Sequence, residues 1–233
     1  MNNVQFEEWC QSLSPHLLRP LVPFNPAVDK LYTFDFTAQN HDLPIRELNN
    51  TASFSRWVFS ALEKNNARYG VGGYLEDRVL YQRSGVFDAA GAGAPRSIHL
   101  GLDIWGPAGT PVFAPVAGKL HSMGQNDAFG DYGATLILEH PSPFGPWYSL
   151  YGHLSADSIQ DKRMGQAFDP GETIARLGEP FENGDWPPHL HFQIILDVEG
   201  KQGDYPGVCA PSDLDHYRLN CPDPGMLQVV PRP

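Results

Sequence analysis

Four of the nine histidines sit in three short segments whose residue types suit metal and acid–base chemistry. These are His99-Leu-Gly-Leu-Asp103, Tyr151-Gly-His153-Leu-Ser155 and His189-Leu-His191-Phe-Gln193. In the first, an imidazole nitrogen and a carboxylate oxygen suit a divalent ion such as zinc. Even spacing on an extended chain sends both side chains to one face. Gly101 between them leaves room for a close backbone approach or a bend. Taken alone, the pair reads first as a metal-free His–Asp hydrogen bond. In the third segment, the alternation His, Leu, His, Phe reads as a strand with one polar and one apolar face. Its two imidazoles then point the same way, about 6.5–7 Å apart along the strand. They can bind one metal, divide the work as ligand and acid/base, or simply face solvent. His153 follows Gly152 at the end of an aromatic strand, where its ring can bond to backbone.

The elements that must position these residues are short. From Ala67 onward the sequence breaks into β-like runs divided by turn residues. They are IHLGLDIW, TPVFAPVAGKLHSM, ATLILEH, WYSLYGHL, ETIARLG and HLHFQIIL. The stretch around Tyr74, Val79, Leu80 and Tyr81 reads as a further strand or hairpin, and VFDAAGAGAPRS as a loop. Residues 204–233 are rich in proline and read as an irregular surface wrap. The first 66 residues read differently. Trp9, Leu13, His16 and Leu17 recur at helical steps, and Phe54, Trp57, Val58, Ala61 and Leu62 share a second helical face, with Ser53 as its cap. The expectation is a mainly β protein with a compact antiparallel sheet and an N-terminal helical extension. Its boundaries fall at 1–66 and 67–233, with a motif core at 96–196.

Composition narrows the function. The net charge of −11 repels phosphate backbones, so nucleic-acid binding is not expected. No run approaches the length of a membrane span. MNNVQFEEWC carries acids where an export signal needs a basic and then an apolar region, so a cytoplasmic location is expected, or an exported one if a leader was trimmed away. Cys10, Cys209 and Cys221 form no CxxC pair; three reduced thiols are the simplest reading, with a Cys209–Cys221 bridge as the alternative. His16, His41, His121, His140 and His216 have no partner pattern and read as structural or exposed. Glu76 and Asp77 beside Arg78 read as a solvated turn. Arg96 reads as a surface pair or a binder of a substrate carboxylate.

HLGLD, YGHLS and HLHF, in that order, resemble the M23 zinc metallopeptidases of lysostaphin and LytM type. The run Gly109-Thr-Pro-Val-Phe-Ala-Pro115 with Gly118 is similar to the family's GTPV-x-AP-x-x-G. Tyr132-Gly133 with the strand through His140 resembles its GNxVxIxH strand, and Pro170-Gly171-Glu172 with Ile174 and Gly178 a further run. The resemblance covers residues 96–196 and does not extend to 1–66. It implies an antiparallel sheet bearing a zinc site with His99, Asp103 and His191 as ligands, and His153 and His189 as catalytic acid/base pair. Three ligands would leave a fourth position for water. The chain departs from the family at Gln193, where HLHFE is usual, in the Asn183–Pro188 loop with Asp185 and Trp186, and in the loop of Phe144, Pro146 and Trp147.

The function expected is a zinc-dependent hydrolase cutting a peptide amide bond, with cell-wall-type peptides as the family's substrate class. Two rivals stand beside it. One keeps the zinc but acts on a small cytosolic amide. The other is a catalytically idle binding module. Residues 1–66 are also a possible cover over the groove.

Overall fold

The structure is a computed structural model that describes residues 1–88 and 94–229. Its helices are α1 (Asn3–Ser12), α2 (Ile45–Leu48), α3 (Thr51–Lys64), α4 (Asp157–Gln160) and α5 (Leu214–Asn220). Its strands are β1 (Leu31–Thr33), β2 (Tyr69–Gly72), β3 (Ile98–His99), β4 (Leu102–Trp105), β5 (Pro111–Phe113) and β6 (Gly118–Asn126). They continue with β7 (Gly133–His140), β8 (Trp147–Leu154), β9 (Ala167–Phe168), β10 (Thr173–Arg176), β11 (His189–Ile195) and β12 (Val208–Cys209).

Eight strands form one sheet in the order β1-β2-β4-β11-β8-β7-β6-β9. Every neighbouring pair is antiparallel except β1 with β2. The mainly β, antiparallel reading with N-terminal helices is borne out. Each of the six β-like runs holds at least one strand. The strand expected at residues 79–81 is instead a 3-10 helix at Val79–Arg83, and the strand of this region lies upstream in β2. The C-terminal segment is not wholly irregular, since it contains β12 and α5. Of the loop VFDAAGAGAPRS, residues 89–93 lie outside the described residues, as do 230–233 of the C-terminal segment.

The N-terminal helices are integral to the packing. In α1 the Asn2 side chain accepts from the Gln5 N–H while the Gln5 side chain accepts from the Asn2 N–H, a reciprocal cap. Phe6 and Trp9 of α1 then pack on Trp147, at ring distances of 5.3 and 5.2 Å. Trp147 is therefore a fully buried core residue at the start of β8, not a loop residue shaping the site. In α3 the cap is Asn50, which accepts from the Ser53 N–H, so Ser53 lies inside the helix. Phe54 of α3 packs with Phe34 and Phe36 against Trp105 and Trp186.

β11 shows why the sequence alternates. Leu190, Phe192 and Ile194 enter the main core with Tyr151, Leu154 and Ile104. His189, His191 and Gln193 take the other face, as a strand period of two requires. That face is also buried, so all seven residues of β11 are enclosed.

Candidate active site

Strand register brings the ligand candidates together. His191 on β11 lies opposite Asp103 on β4 and opposite Gly152 on β8. Cross-strand partners share a face, so the Asp103 carboxylate and His191 imidazole meet. His99 ends β3, and the chain breaks at Leu100–Gly101 before β4. A Cβ at Gly101 would lie 2.7 Å from the His191 ring, so the glycine is what lets backbone pass that close.

His153 reaches the site by a different device. Plain alternation after Tyr151 would send His153 towards the main core. Instead the β7–β8 register shifts between Ala134 and Leu136, a bulge, and His153 adopts φ 62°. The bulge turns His153 to the site face and returns Leu154 to the core. His153 and His189 rings then face each other at 4.1 Å.

The hydrogen bonds fix all four tautomers. His99 Nδ1–H donates to Gly73 O at 2.8 Å, and His153 Nδ1–H to Asn183 O at 2.8 Å. His189 Nδ1–H donates to Pro187 O at 2.8 Å. His191 Nε2–H donates to Gln193 Oε1 at 2.9 Å, and the Gln193 amide is held that way round because its Nε2 donates to Pro206 O at 3.1 Å. Each imidazole thus spends its one neutral N–H outward and turns a bare nitrogen inward.

Two of those inward nitrogens converge with a carboxylate oxygen. His99 Nε2 and His191 Nδ1 are 2.9 Å apart, and each lies 3.2 Å from Asp103 Oδ1. None carries a proton to share, and Asp103 Oδ1 is buried without a hydrogen-bond partner. Lone pairs at such spacing repel unless a cation joins them. A tetrahedral zinc with bonds of about 2.0–2.1 Å has ligand atoms about 3.3 Å apart. The donor set and its spacing fit that ion, and His99, Asp103 and His191 form the cluster that could hold a metal among the described residues.

Burial sets the electrostatics. His99, Asp103, His153, His189 and His191 are all buried. Burial, with the Arg78 guanidinium close by, pushes His99 down to about 4, and burial pushes His189 to about 4. Burial and the facing His189 hold His153 well below its usual range. Burial works against the Asp103 charge, yet neighbouring His99 and Arg78 hold its carboxyl well below the usual carboxylate range. Trp105 stacks on His189 at 4.0 Å and 16°, clamping the ring.

The turn read as solvated is the chief correction. Arg78 is 2% exposed and donates through Nη1 to Asp103 Oδ2 at 2.5 Å and through Nε to Glu76 Oε2 at 2.6 Å. Tyr132, whose hydroxyl is 3.4 Å from His191 Nε2, also went unassigned. No local pattern marks Arg78 as part of the site, and the motif around Tyr132-Gly133 gives its hydroxyl no role. All three cysteines are buried and free, which agrees with the reduced-thiol reading.

These side chains line a cavity of about 130 Å³. Its walls come from Arg78–Phe87, Trp105, Gly130–Tyr132, Trp186 and Asp204–Val208. No residue of 1–66 is among the described lining residues; Phe34, Phe36 and Phe54 of that segment pack with Trp105 and Trp186 instead.

Residues 97–204 match the profile of peptidase family M23. The resemblance carried by HLGLD, YGHLS and HLHF is borne out over that stretch. The L-Ala–D-Glu endopeptidase of Bacillus subtilis (strain 168) is 31% identical over 115 residues, 47% of this chain and 33% of the relative. The chain thus spans about a third of that curated relative. A crystal structure of a zinc-containing peptidase from Vibrio cholerae is 29% identical, with 46% of this chain and 29% of that one covered and a TM-score of 0.34. The catalytic domain of lysostaphin from Staphylococcus simulans is 23% identical over 69% of this chain and 96% of its own, with a TM-score of 0.38.

Proposed function

We propose that the chain is a zinc-dependent hydrolase of M23 type that cuts an amide bond in a peptide. The observation that carries this reading is the set of bare acceptors: three converge with no proton between them, and two neutral imidazoles face them. His99 Nε2, Asp103 Oδ1 and His191 Nδ1 would hold the zinc. Bound there, zinc supplies a Lewis acid for the scissile carbonyl and for the attacking water.

The remaining steps belong to the chain's own residues. His189 and His153 present Nε2 lone pairs, so either can take a proton from water and return it to the leaving amine. Once protonated, His189 is stabilised by Asp103 Oδ1, 4.0 Å from its Nε2. A second imidazolium 4.1 Å away would be repelled, so the pair holds one proton at a time. Pro187 and Asn183 carbonyls fix the ring orientations, and Trp105 prevents His189 from tilting.

The peptide class follows the curated relative, whose name specifies an L-Ala–D-Glu bond. Cell-wall-type peptides containing a D-amino acid are therefore the first substrates to offer. The test is turnover of such a peptide panel by zinc-loaded protein beside His189→Ala. This reading expects His189→Ala to keep its zinc and lose turnover by about 100-fold or more. Full turnover by that variant would overturn the role of the histidine pair.

A further inference from the structure

The loop between Gly178 and His189 carries both carbonyls that orient the histidine pair. Asn183 O accepts from His153 Nδ1–H and Pro187 O from His189 Nδ1–H, each at 2.8 Å. Whatever holds this loop therefore holds the two rings. Part of the hold is local: the Asn183 side chain donates to Gly178 O and Trp186 O and accepts from the Trp186 N–H. A second tie comes from Gly130, whose N–H donates to Gly184 O at 2.8 Å.

A third tie comes from far upstream. Thr51, the first residue of α3, donates through Oγ1 to Asp185 O at 2.9 Å. Arg83 Nη2 donates to Thr51 Oγ1 at 2.7 Å and to Asp185 O at 3.3 Å. The three groups close a triangle on the carbonyl midway between Asn183 and Pro187. Asp185 has φ 67°, directly after Gly184 at φ 85°. Outside glycine that left-handed region is sparsely populated, and outside bonds keep the backbone there. Arg83 is itself fixed, with its guanidinium over the rings of Trp186, Phe129 and Phe54 at 4.7, 5.1 and 5.7 Å. Its Nε and Nη1 are buried without a hydrogen-bond partner among the described residues, so Nη2 makes its hydrogen bonds, and both go to this triangle. The first turns of α3 also back His189 from another side: Phe54 packs on Trp105 at 5.7 Å, and Trp105 stacks on His189 at 4.0 Å. Thr51, Phe54 and Arg83 all precede the stretch 97–204 that matches the family.

Resting on the hydrolase reading above, we infer that Thr51 and Arg83 are positioning residues for the histidine pair. Through the Asp185 carbonyl they hold the Asn183 and Pro187 carbonyls where these accept the Nδ1 protons of His153 and His189. Neither is among the described residues that line the cavity, so their effect on the reaction runs through the two rings. The consequence is a choice of tautomer. A neutral imidazole whose proton moves to Nε2 has no lone pair there to take a proton from water.

The test is Thr51→Val in zinc-loaded protein, which removes the hydroxyl and nearly keeps the shape, beside Thr51→Ser, which keeps the hydroxyl. Nitrogen-15 NMR of the histidine rings reads the tautomers independently of turnover. His153 and His189 are expected to carry Nδ1–H in the wild type and in Thr51→Ser, and to mix in Nε2–H in Thr51→Val. On a cleaved peptide, kcat should fall about tenfold or more in Thr51→Val, with KM and zinc content within about twofold, and Thr51→Ser should stay within about threefold of wild type. Arg83→Lys keeps the charge but lacks the guanidinium fork; it is the second variant should Thr51→Val fold poorly, with the same shifts expected. Unchanged tautomers and kcat in a folded variant overturn this inference and leave the hydrolase reading in place. A loss of zinc that matches the loss of kcat overturns it as well, since the triangle would then support the whole site alike. Shifted tautomers in a protein that cleaves no peptide of the panel overturn the hydrolase reading and leave the positioning of the rings standing.

Discussion

Asp103 turns its two oxygens to different sides: its Oδ1 faces His99 and His191 at 3.2 Å, and its Oδ2 accepts from Arg78 at 2.5 Å. The guanidinium keeps its charge, since Tyr81, Asp103 and Glu76 outweigh the burial that opposes it. One carboxylate thereby belongs to the candidate metal site and to a buried ion pair. Arg78→Met would leave the Asp103 charge buried and uncompensated. That change should cost about 3–5 kcal/mol of stability in metal-free protein. Zinc should then rescue the variant by a wider margin than it stabilises the wild type, because the ion supplies the missing positive charge. Urea denaturation with chelator and with zinc checks both statements. A variant as stable as wild type in chelator would show that the pair does not anchor Asp103.

Gln193 stands where the resemblance leads one to expect a glutamate, and its surroundings explain the amide. Its Oε1 accepts from His191, while its Nε2 donates to Pro206 O at 3.1 Å and to Cys221 Sγ at 3.3 Å. A carboxylate keeps the first bond but turns a lone pair towards the Pro206 carbonyl. Gln193→Glu should therefore destabilise this protein by about 1–3 kcal/mol at neutral pH. Thermal unfolding of the metal-free form reads it directly. An unchanged or raised midpoint would contradict the account.

Gly101→Ala tests the close passage of backbone over the ligand. The added methyl would lie 2.7 Å from His191 Cε1 and Nε2 and 2.7 Å from the Phe192 carbonyl oxygen. The imidazole must shift, so zinc affinity should fall by about 10–100-fold in protein that still folds. Competition with a chromogenic chelator measures the change. Undiminished affinity would mean that His191 is not held where the structure places it.

His140 sets a pH dependence away from the site. It is fully buried, stacks on Trp147 at 4.1 Å and donates through Nδ1 to Ala117 O at 2.9 Å. Burial pushes its pKa down to about 4 from 6.5. Between those values the unfolded chain binds a proton that the folded chain refuses, so stability falls as pH drops from 6.5 towards 4. The contribution is on the order of 3 kcal/mol. His140→Gln should make the fall of stability in that window shallower, with the buried His99, His153 and His189 supplying what remains of it. Parallel curves for variant and wild type would refute the assignment.

The sequence revealed the parts of the site that strand periodicity controls. HLHF shows two imidazoles on one face because β11 is a regular strand, and HLGLD places an acid next to a histidine. His153 was legible only by resemblance, because a bulge overrides alternation at that point. Arg78 was misread because a charged triplet looks solvated unless the distant strand that buries it is known. Trp147 was misread for the same kind of reason: the α1 residues that cover it lie far upstream. The walls of the cavity draw on segments 78–87 and 204–208, which lie far apart in sequence, so no local pattern marks them.

The most direct test of the central claim is the zinc content of protein purified without added metal, beside His191→Ala and His189→Ala. The account predicts about one zinc per chain in the wild type and in His189→Ala, and its loss in His191→Ala. Zinc retained in full by His191→Ala, or none taken up by the wild type on titration, would contradict it.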